Sequence, residues 1–374
     1  MVNRLPSRPP VLPGYTYIAP LGTGGFADVF LFEQQLPRRA VAIKVLLKNV
    51  VNEELLRLFN SEADAMATLS AHPSIVTIFE ANISADGRPY ITMEHCPFSY
   101  RDRYRKETIP VAEVLTLGIK IGSALETAHR AGMLHRDIKP SNILITEYGS
   151  PVLSDFGIAT TLKQSDESEI LAMSVPWSAP EVVAEESIGS VHSEVWSLGA
   201  TIYTLLAGHS PFERPGKGMN TREKIKKRIA KANYSPIKRE DVPDRLNQLL
   251  RDSMHKDPSR RFSSVLEMVN ALQLVQQEMG LGVTNAEIAS NRWAPKPINF
   301  ADTSERGQKR SVVTVPTKRR APASPEAARR PDEEGVIEAD SQRGKRFKKI
   351  SLVVGVSLIS LTSALLLISF YGGL

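Results

Sequence analysis

The chain is poor in cysteine, with a single thiol at Cys96 among 374 residues. One cysteine excludes an intramolecular disulfide framework and a zinc site built from several thiolates. The folded part must therefore be held by its own core in a reduced compartment. Excess charge is scarce too. Lys and Arg total 47 against 41 Asp and Glu, a net +6, too little over this length to mark a nucleic-acid partner. Residues Met1–Pro13 hold no apolar run long enough for a signal peptide. No internal repeat occurs. Hydrophobic residues make up 42%, which excludes a wholly disordered or collagen-like chain.

Membrane-length hydrophobic runs are absent except for one. From Ile350 to Tyr371 there are 22 consecutive uncharged residues, and a helix of ~20 such residues crosses a bilayer's hydrocarbon layer. Arg343, Lys345, Arg346, Lys348 and Lys349 precede it, a pattern that keeps the preceding chain in the cytoplasm. The sequence thus predicts a transmembrane helix at 350–371 and a short external tail at 372–374, too short for an external sensor domain. Residues 276–349 include the Pro- and Arg-rich stretch Val315–Pro331 and the mixed-charge stretch Asp332–Asp340. They read as a flexible juxtamembrane linker. Residues 1–11 form an N-terminal tail, and residues 12–275 remain as one domain.

That domain begins with strands. Tyr15–Leu21 and Asp28–Gln34 flank a glycine cluster, and Ala40–Leu47 is a short β-branched and apolar run. Leu55, Leu58, Phe59, Ala63, Met66 and Leu69 then recur at helical spacing behind Asn52, an N-cap candidate. Val76–Phe79 and Tyr90–Met93 return to strand-like sequence. Beyond residue 110 helices are predicted, one along Val111, Val114, Leu115, Leu125 and Ala128 to a stop near Gly132, others at Leu198–Leu206 and Leu246–Met254. Strands early and helices late predict an α+β chain in two lobes.

Chemistry-bearing residues punctuate this pattern. Gly22, Gly24 and Gly25 shape a hairpin loop whose backbone can approach phosphates, although a glycine turn alone more often just reverses the chain. Lys44 sits within an apolar strand, where alternation alone could point it to solvent. Glu62, however, falls on the apolar stripe of the next helix, and a carboxylate there needs a cation. A Lys44–Glu62 pair would aim an ammonium at a phosphate. More specific is the run Leu134 to Leu144, in which His135, Arg136, Asp137, Lys139 and Asn142 interrupt apolar residues. Farther on, another apolar strand ends in Asp155-Phe156-Gly157. An asparagine and an aspartate at neighbouring strand ends can jointly hold Mg²⁺, which prefers a few hard oxygen ligands and bridging phosphates. Asp137 is then free to orient a hydroxyl.

In this order the motifs resemble a eukaryotic-type (Hanks-type) serine/threonine protein kinase of the membrane-anchored kind found in bacteria, over about residues 12–275. The resemblance implies a bilobal fold: an N-lobe at 12–93 with an antiparallel sheet and one helix, a hinge at 94–97, and a mainly helical C-lobe at 98–275. It implies an ATP site formed by Leu21, Gly22, Thr23, Gly24, Gly25, Val29, Ala42 and Lys44, with Glu62 holding Lys44. Met93 resembles the gatekeeper, and Glu94 and Cys96 would offer hinge backbone to adenine. Asp137 matches the catalytic base, Lys139 a γ-phosphate contact, and Asn142 and Asp155 the ligands of Mg²⁺, with Mn²⁺ as an alternative. Ala179-Pro180-Glu181 resembles the close of the activation segment, Arg261 the partner of Glu181, and Glu194 to Gly199 the helix that supports the catalytic loop.

The resemblance also implies regulation and partners. Arg136 would receive a phosphate on the activation segment, with Ser168 and Ser174 as candidate autophosphorylation sites and Thr314 and Thr317 as further ones. Protein substrates and ATP are the expected partners, with membrane lipid around the C-terminal helix and no nucleic acid. A phosphopeptide-binding partner and a homodimer stay open. The expected location is the cell membrane, single-pass, with the kinase domain cytoplasmic. Three positions depart from the family pattern. Ala27 replaces the third loop glycine, Glu194 an aspartate, and Val175 a threonine whose hydroxyl touches the catalytic aspartate and lysine. An active enzyme is expected, with a pseudokinase scaffold and a membrane adaptor as the alternatives.

Overall fold

A computed structural model describes residues 4–25, 27–48, 59, 63, 66–156 and 174–289. All of them fall within one unit of the chain, Met1–Pro297. Five antiparallel strands open it: β1 Tyr15–Thr23, β2 Ala27–Gln35, β3 Arg38–Leu46, β4 Ile78–Ile83 and β5 Pro89–Glu94, arranged β1-β2-β3-β5-β4. β2 and β3 pair without a break from Ala27 opposite Leu46 to Gln35 opposite Arg38, so parity sorts their side chains between two faces. On one face Phe30, Phe32, Val41, Ile43 and Val45 join Leu12 and Tyr90 in a buried cluster. The opposite face carries Val29, Ala42 and Lys44, and there Ala27 and Leu46 pack with Phe59 and Ile91. The Ala27 methyl, the departure from glycine, is thus part of a small core.

The run Val76–Phe79 does not form one strand. The Val76 N–H donates to the Leu153 carbonyl at 3.0 Å, and Ile75 bridges to Leu153. These buried residues tie the first sheet to the second half of the chain, and β4 starts only at Ile78. A second sheet, β6 Phe98–Ser99, β7 Ile143–Ile145 and β8 Pro151–Leu153, follows in the order β6-β7-β8. Strands of two or three residues are too short to show a period in the sequence.

Five helices of eight residues or more are found among the described residues: α1 Val111–Arg130, α2 Val191–Ala207, α3 Arg222–Ile229, α4 Asp244–Ser253 and α5 Val265–Glu278. α1 ends two residues before Gly132, whose φ of +77° L side chains rarely adopt. α2 starts with a reciprocal cap between Ser190 and Ser193. α1 and α5 approach closely because Gly122 has no side chain; a Cβ there would lie 2.4 Å from Val269 Cγ2. Leu115, Leu125, Trp196, Leu198 and Leu272 belong to the main buried cluster. The strand-rich first part and helical second part match the expected two-lobed α+β architecture. α3 and α5 were not anticipated, and the packed chain runs past residue 275. Leu281 and Ala286 rest on the core, and the Thr284 hydroxyl accepts from Gln276 at 2.9 Å.

The expected transmembrane helix at 350–371, its external tail and the linker from residue 290 onward lie outside the described residues. No helix among the described residues is long and apolar enough to cross a membrane.

Candidate active site

The antiparallel register of β7 and β8 builds the centre of the site. Ile143 lies opposite Leu153, so the residue before β7, Asn142, and those after β8, Ser154 and Asp155, come out at adjoining strand ends. The Ser154 N–H donates to the Asn142 carbonyl at 2.9 Å and closes that end of the ladder. Asp155 adopts φ 61° and Arg136 φ 64°, a left-handed backbone that non-glycine residues rarely take and that clusters at functional sites. The Arg136 conformation is held from outside. The Arg136 N–H donates to Glu194 Oε1 at 2.5 Å, and Glu194 Oε2 meets His129 Nε2 at the same distance. Glu194 is 2% exposed. The glutamate therefore braces the backbone at Arg136, beside Asp137, in spite of its extra methylene.

Four polar side chains converge on Asp137. Its Oδ1 accepts from the Ser174 hydroxyl at 2.6 Å. Its Oδ2 meets Lys139 Nζ at 2.7 Å and accepts from Asn142 Nδ2 at 3.0 Å. Lys139 Nζ also donates to Ser174 Oγ at 2.9 Å, which closes a ring of three. His135, fully buried, accepts the Asp137 N–H on Nδ1 at 3.2 Å and lies 2.8 Å from the Ser154 carbonyl through Nε2. Burial works against ionisation of Asp137. The Lys139 charge and hydrogen bond, with the Ser174 hydroxyl, outweigh it and hold the carboxyl below the usual aspartate value. Asp137 is thus an anion whose lone pairs point at a fixed place.

The expectation that Val175 takes the place of the threonine is corrected by the contacts of Ser174. The hydroxyl that reaches both the aspartate and the lysine belongs to Ser174, one residue earlier. Val175 itself is buried and packs into the main core. The same geometry gives Ser174 a role distinct from its candidacy for phosphorylation, since its hydroxyl hydrogen is directed at Asp137.

Across the site, Lys44 Nζ reaches Asp155 Oδ1 at 2.6 Å. The desolvation that would raise the Asp155 carboxyl is outweighed by the Lys44 charge and hydrogen bond, so its pKa too is lowered. The pairing expected between Lys44 and Glu62 concerns a residue outside the described ones, as does Ser168. Leu21, Gly22 and Thr23 end β1, and Gly24 and Gly25 form the turn, where the Gly24 N–H donates to the Ala27 carbonyl at 2.8 Å. A Cβ on Gly24 would stand 3.1 Å from that carbonyl, so the close turn calls for glycine. Val29, Ala42 and Lys44 share one sheet face with Met93, which pairs with Ala42. Glu94 closes β5, its N–H bound to the Thr77 carbonyl at 2.9 Å. Cys96 is half-buried, and burial, with Glu94 and Glu147, pushes its thiol up to about 12.

The donor set suits a hard divalent cation. Both contacts of the Asn142 amide nitrogen go to Asp137, through its carbonyl at 2.8 Å and its carboxylate, while Asn142 Oδ1 accepts one hydrogen bond from the Ser141 hydroxyl at 3.3 Å and keeps a second lone pair. With the Asp155 carboxylate this supplies two oxygen ligands, the small number that Mg²⁺ takes beside phosphates and water. Farther off, Arg261 holds Glu181 through two bonds of 2.7 and 2.9 Å. Sequence reasoning missed the parts played by Ser174 and His135.

Comparison with known proteins places this geometry in a family. The model described as "Protein kinase domain" matches residues 15–278. The chain is 33% identical over 314 residues to "Serine/threonine-protein kinase PknK" of Mycobacterium tuberculosis, covering 81% of this chain and 28% of that protein. It is 33% identical over 262 residues to "Probable serine/threonine-protein kinase PknB" of Lactococcus lactis, covering 68% and 41%. For "Serine/threonine-protein kinase PrkC" of Bacillus subtilis the identity is 31% over 260 residues, covering 68% and 39%. The chain thus spans less than half the length of these relatives. The matched domain extends from β1 to the last residue of α5 and takes in every residue gathered around Asp137, and on that ground the chain belongs to the protein kinase family.

Proposed function

We propose that this protein is an active serine/threonine protein kinase that transfers the γ-phosphate of ATP to protein hydroxyls and to its own chain. The observation that carries this reading is the Asp137 carboxyl held by Lys139, Ser174 and Asn142 within a site that also presents Lys44 and Asp155. Lys44 contacts the α- and β-phosphates, and Lys139 neutralises charge gathering on the γ-phosphoryl group. Asp137 aligns the incoming hydroxyl and accepts its proton. Transfer passes through a loose transition state, so positioning and charge stabilisation account for most of the rate. Asn142 and Asp155 would hold Mg²⁺, which supplies charge neutralisation across the phosphates. Incubating the full chain with Mg²⁺, labelled ATP and a generic basic protein tests the reading. Label on serine or threonine supports it; ATP binding without transfer would leave a scaffold.

Ser174 gives a sharper expectation. A hydrogen bond to a charged group contributes ~1.5–3 kcal/mol, so Ser174→Ala should lower kcat by about 10- to 100-fold if the bond persists in the transition state. Ser174→Thr should keep most of the activity. Val175→Thr should change kcat less than about twofold, because residue 175 faces the core. Steady-state kinetics on the three variants distinguish these outcomes.

We further propose that residues 350–371 anchor the protein in the cell membrane, with the kinase domain on the cytoplasmic side. The uncharged run and the basic cluster Arg343–Lys349 support this. Each basic residue near an anionic surface adds ~1 kcal/mol of attraction. Removing residues 350–374 should move the protein to the soluble fraction after a high-salt wash. Retention in the membrane pellet would contradict the anchor.

A further inference from the structure

Asp28 lies on β2, on the sheet face opposite Val29, where it is the carboxylate beside the buried Phe30, Phe32 and Val45 and so needs a partner. Its side chain is 0% exposed, and residues ahead of β1 enclose it. Arg4 engages the carboxylate with both terminal nitrogens, Nη1 donating to Oδ2 at 3.3 Å and Nη2 meeting Oδ1. The Ser7 N–H donates to Oδ2 at 2.8 Å. The same Arg4 Nη2 donates to the Gly24 carbonyl at 3.1 Å. One planar guanidinium thus joins the tip of the glycine loop to the strand that leaves it, the fork geometry that arginine offers and lysine lacks.

The segment behind Arg4 is itself fixed. Arg88, 5% exposed, donates to the Arg8 carbonyl at 2.9 Å and to Ser7 Oγ at 3.3 Å, while Asp86 pairs with its Nε at 2.8 Å. Leu12 is buried with Phe30 and Phe32. A trans peptide points its C=O and its N–H in opposite directions. Holding the Gly24 carbonyl toward Arg4 therefore turns the Gly25 N–H away from Arg4, which is itself fixed to Asp28 on the face opposite Val29 and Lys44.

We propose that Arg4 is a positioning residue for the phosphate loop: clamped to Asp28, it orients the Gly24–Gly25 peptide so that the Gly25 N–H is presented to the phosphates of ATP. This rests on the reading of Gly22 to Gly25 as the ATP phosphate loop. Arg4→Ala in the full chain should raise KM for ATP about 5- to 20-fold and change kcat less than about twofold. Arg4→Lys, which keeps the charge without the fork, should fall in between and serves as the test if Arg4→Ala does not fold. Leu12→Ala is the control, since it loosens the same segment without touching the clamp. It should lower the melting temperature and leave KM for ATP unchanged where the protein is folded. An unchanged KM in folded Arg4→Ala and Arg4→Lys overturns the proposal, as does an equal rise in Leu12→Ala, which would make the effect one of general stability. A wild-type chain that neither binds nor uses ATP overturns the kinase reading as well.

Discussion

Replacing Asp137 with asparagine should lower kcat for protein phosphorylation by about 10²- to 10⁴-fold, the usual contribution of a positioned general base, and leave KM for ATP within about threefold. The change keeps the shape of the side chain and removes its charge. An amide cannot accept the substrate proton, and its own N–H group would face Lys139 and Ser174, which now direct hydrogens at the two carboxylate oxygens. Lys44 and Asp155 lie apart from these bonds, so nucleotide affinity should survive. Initial rates at varied ATP, together with direct nucleotide binding, check both halves of the expectation. Comparable loss of binding and turnover would mean that Asp137 supports the fold of the site rather than the transfer.

The second large effect concerns stability. The Arg261 side chain is 0% exposed and that of Glu181 is 14% exposed. Every nitrogen of the guanidinium is used: Nε donates to the His255 carbonyl at 2.8 Å, Nη1 to the His192 carbonyl at 3.0 Å, Nη2 to the Lys256 carbonyl at 3.3 Å, and both Nη to Glu181. The group also stands 4.9 Å from the centre of the Trp196 ring. Breaking a buried pair by removing one partner costs about 3–5 kcal/mol because the other charge is left uncompensated. Arg261→Met should reach that range, since it orphans a carboxylate and three backbone carbonyls together. Glu181→Gln should cost less, because Arg261 keeps its carbonyl partners and a neutral acceptor. Thermal or denaturant unfolding of the two variants gives the order, and a milder Arg261→Met would contradict it.

The contrast between the two predictions reflects what a sequence makes legible. His135 to Asn142 stand within eight residues, and one turn plus one short ladder brings them together, so their chemistry shows as a local cluster. Asp155 could be joined to them because an apolar strand ends at it. The place of the family threonine falls at Ser174 and not, as expected, at Val175. Ser174 and Val175 lie in a stretch without periodicity, and only the three-dimensional path decides which of them faces Asp137. Glu194 fits in place of aspartate because His129 takes up its second oxygen. The ends of the domain were least visible. Residues 4–12 and 281–289 follow no helical or strand period, and single anchors such as Arg4, Leu12, Thr284 and Ala286 hold them in place. The two-lobed order of strands and helices was readable because β2, β3 and α1 are long enough to display their periods. β6, β7 and β8 are not.

The central claim is that Asp137, with Lys139 and Ser174, directs a protein hydroxyl at the γ-phosphate of ATP. Single-turnover transfer at saturating ATP and Mg²⁺ tests it most directly, with wild type and Asp137→Asn run side by side and the modified residues of a basic protein substrate identified by mass spectrometry. The account predicts rapid formation of phosphoserine and phosphothreonine by the wild type and nearly none by Asp137→Asn at equal nucleotide occupancy. Equal single-turnover rates in the two proteins, or phosphate found on tyrosine alone, would contradict it.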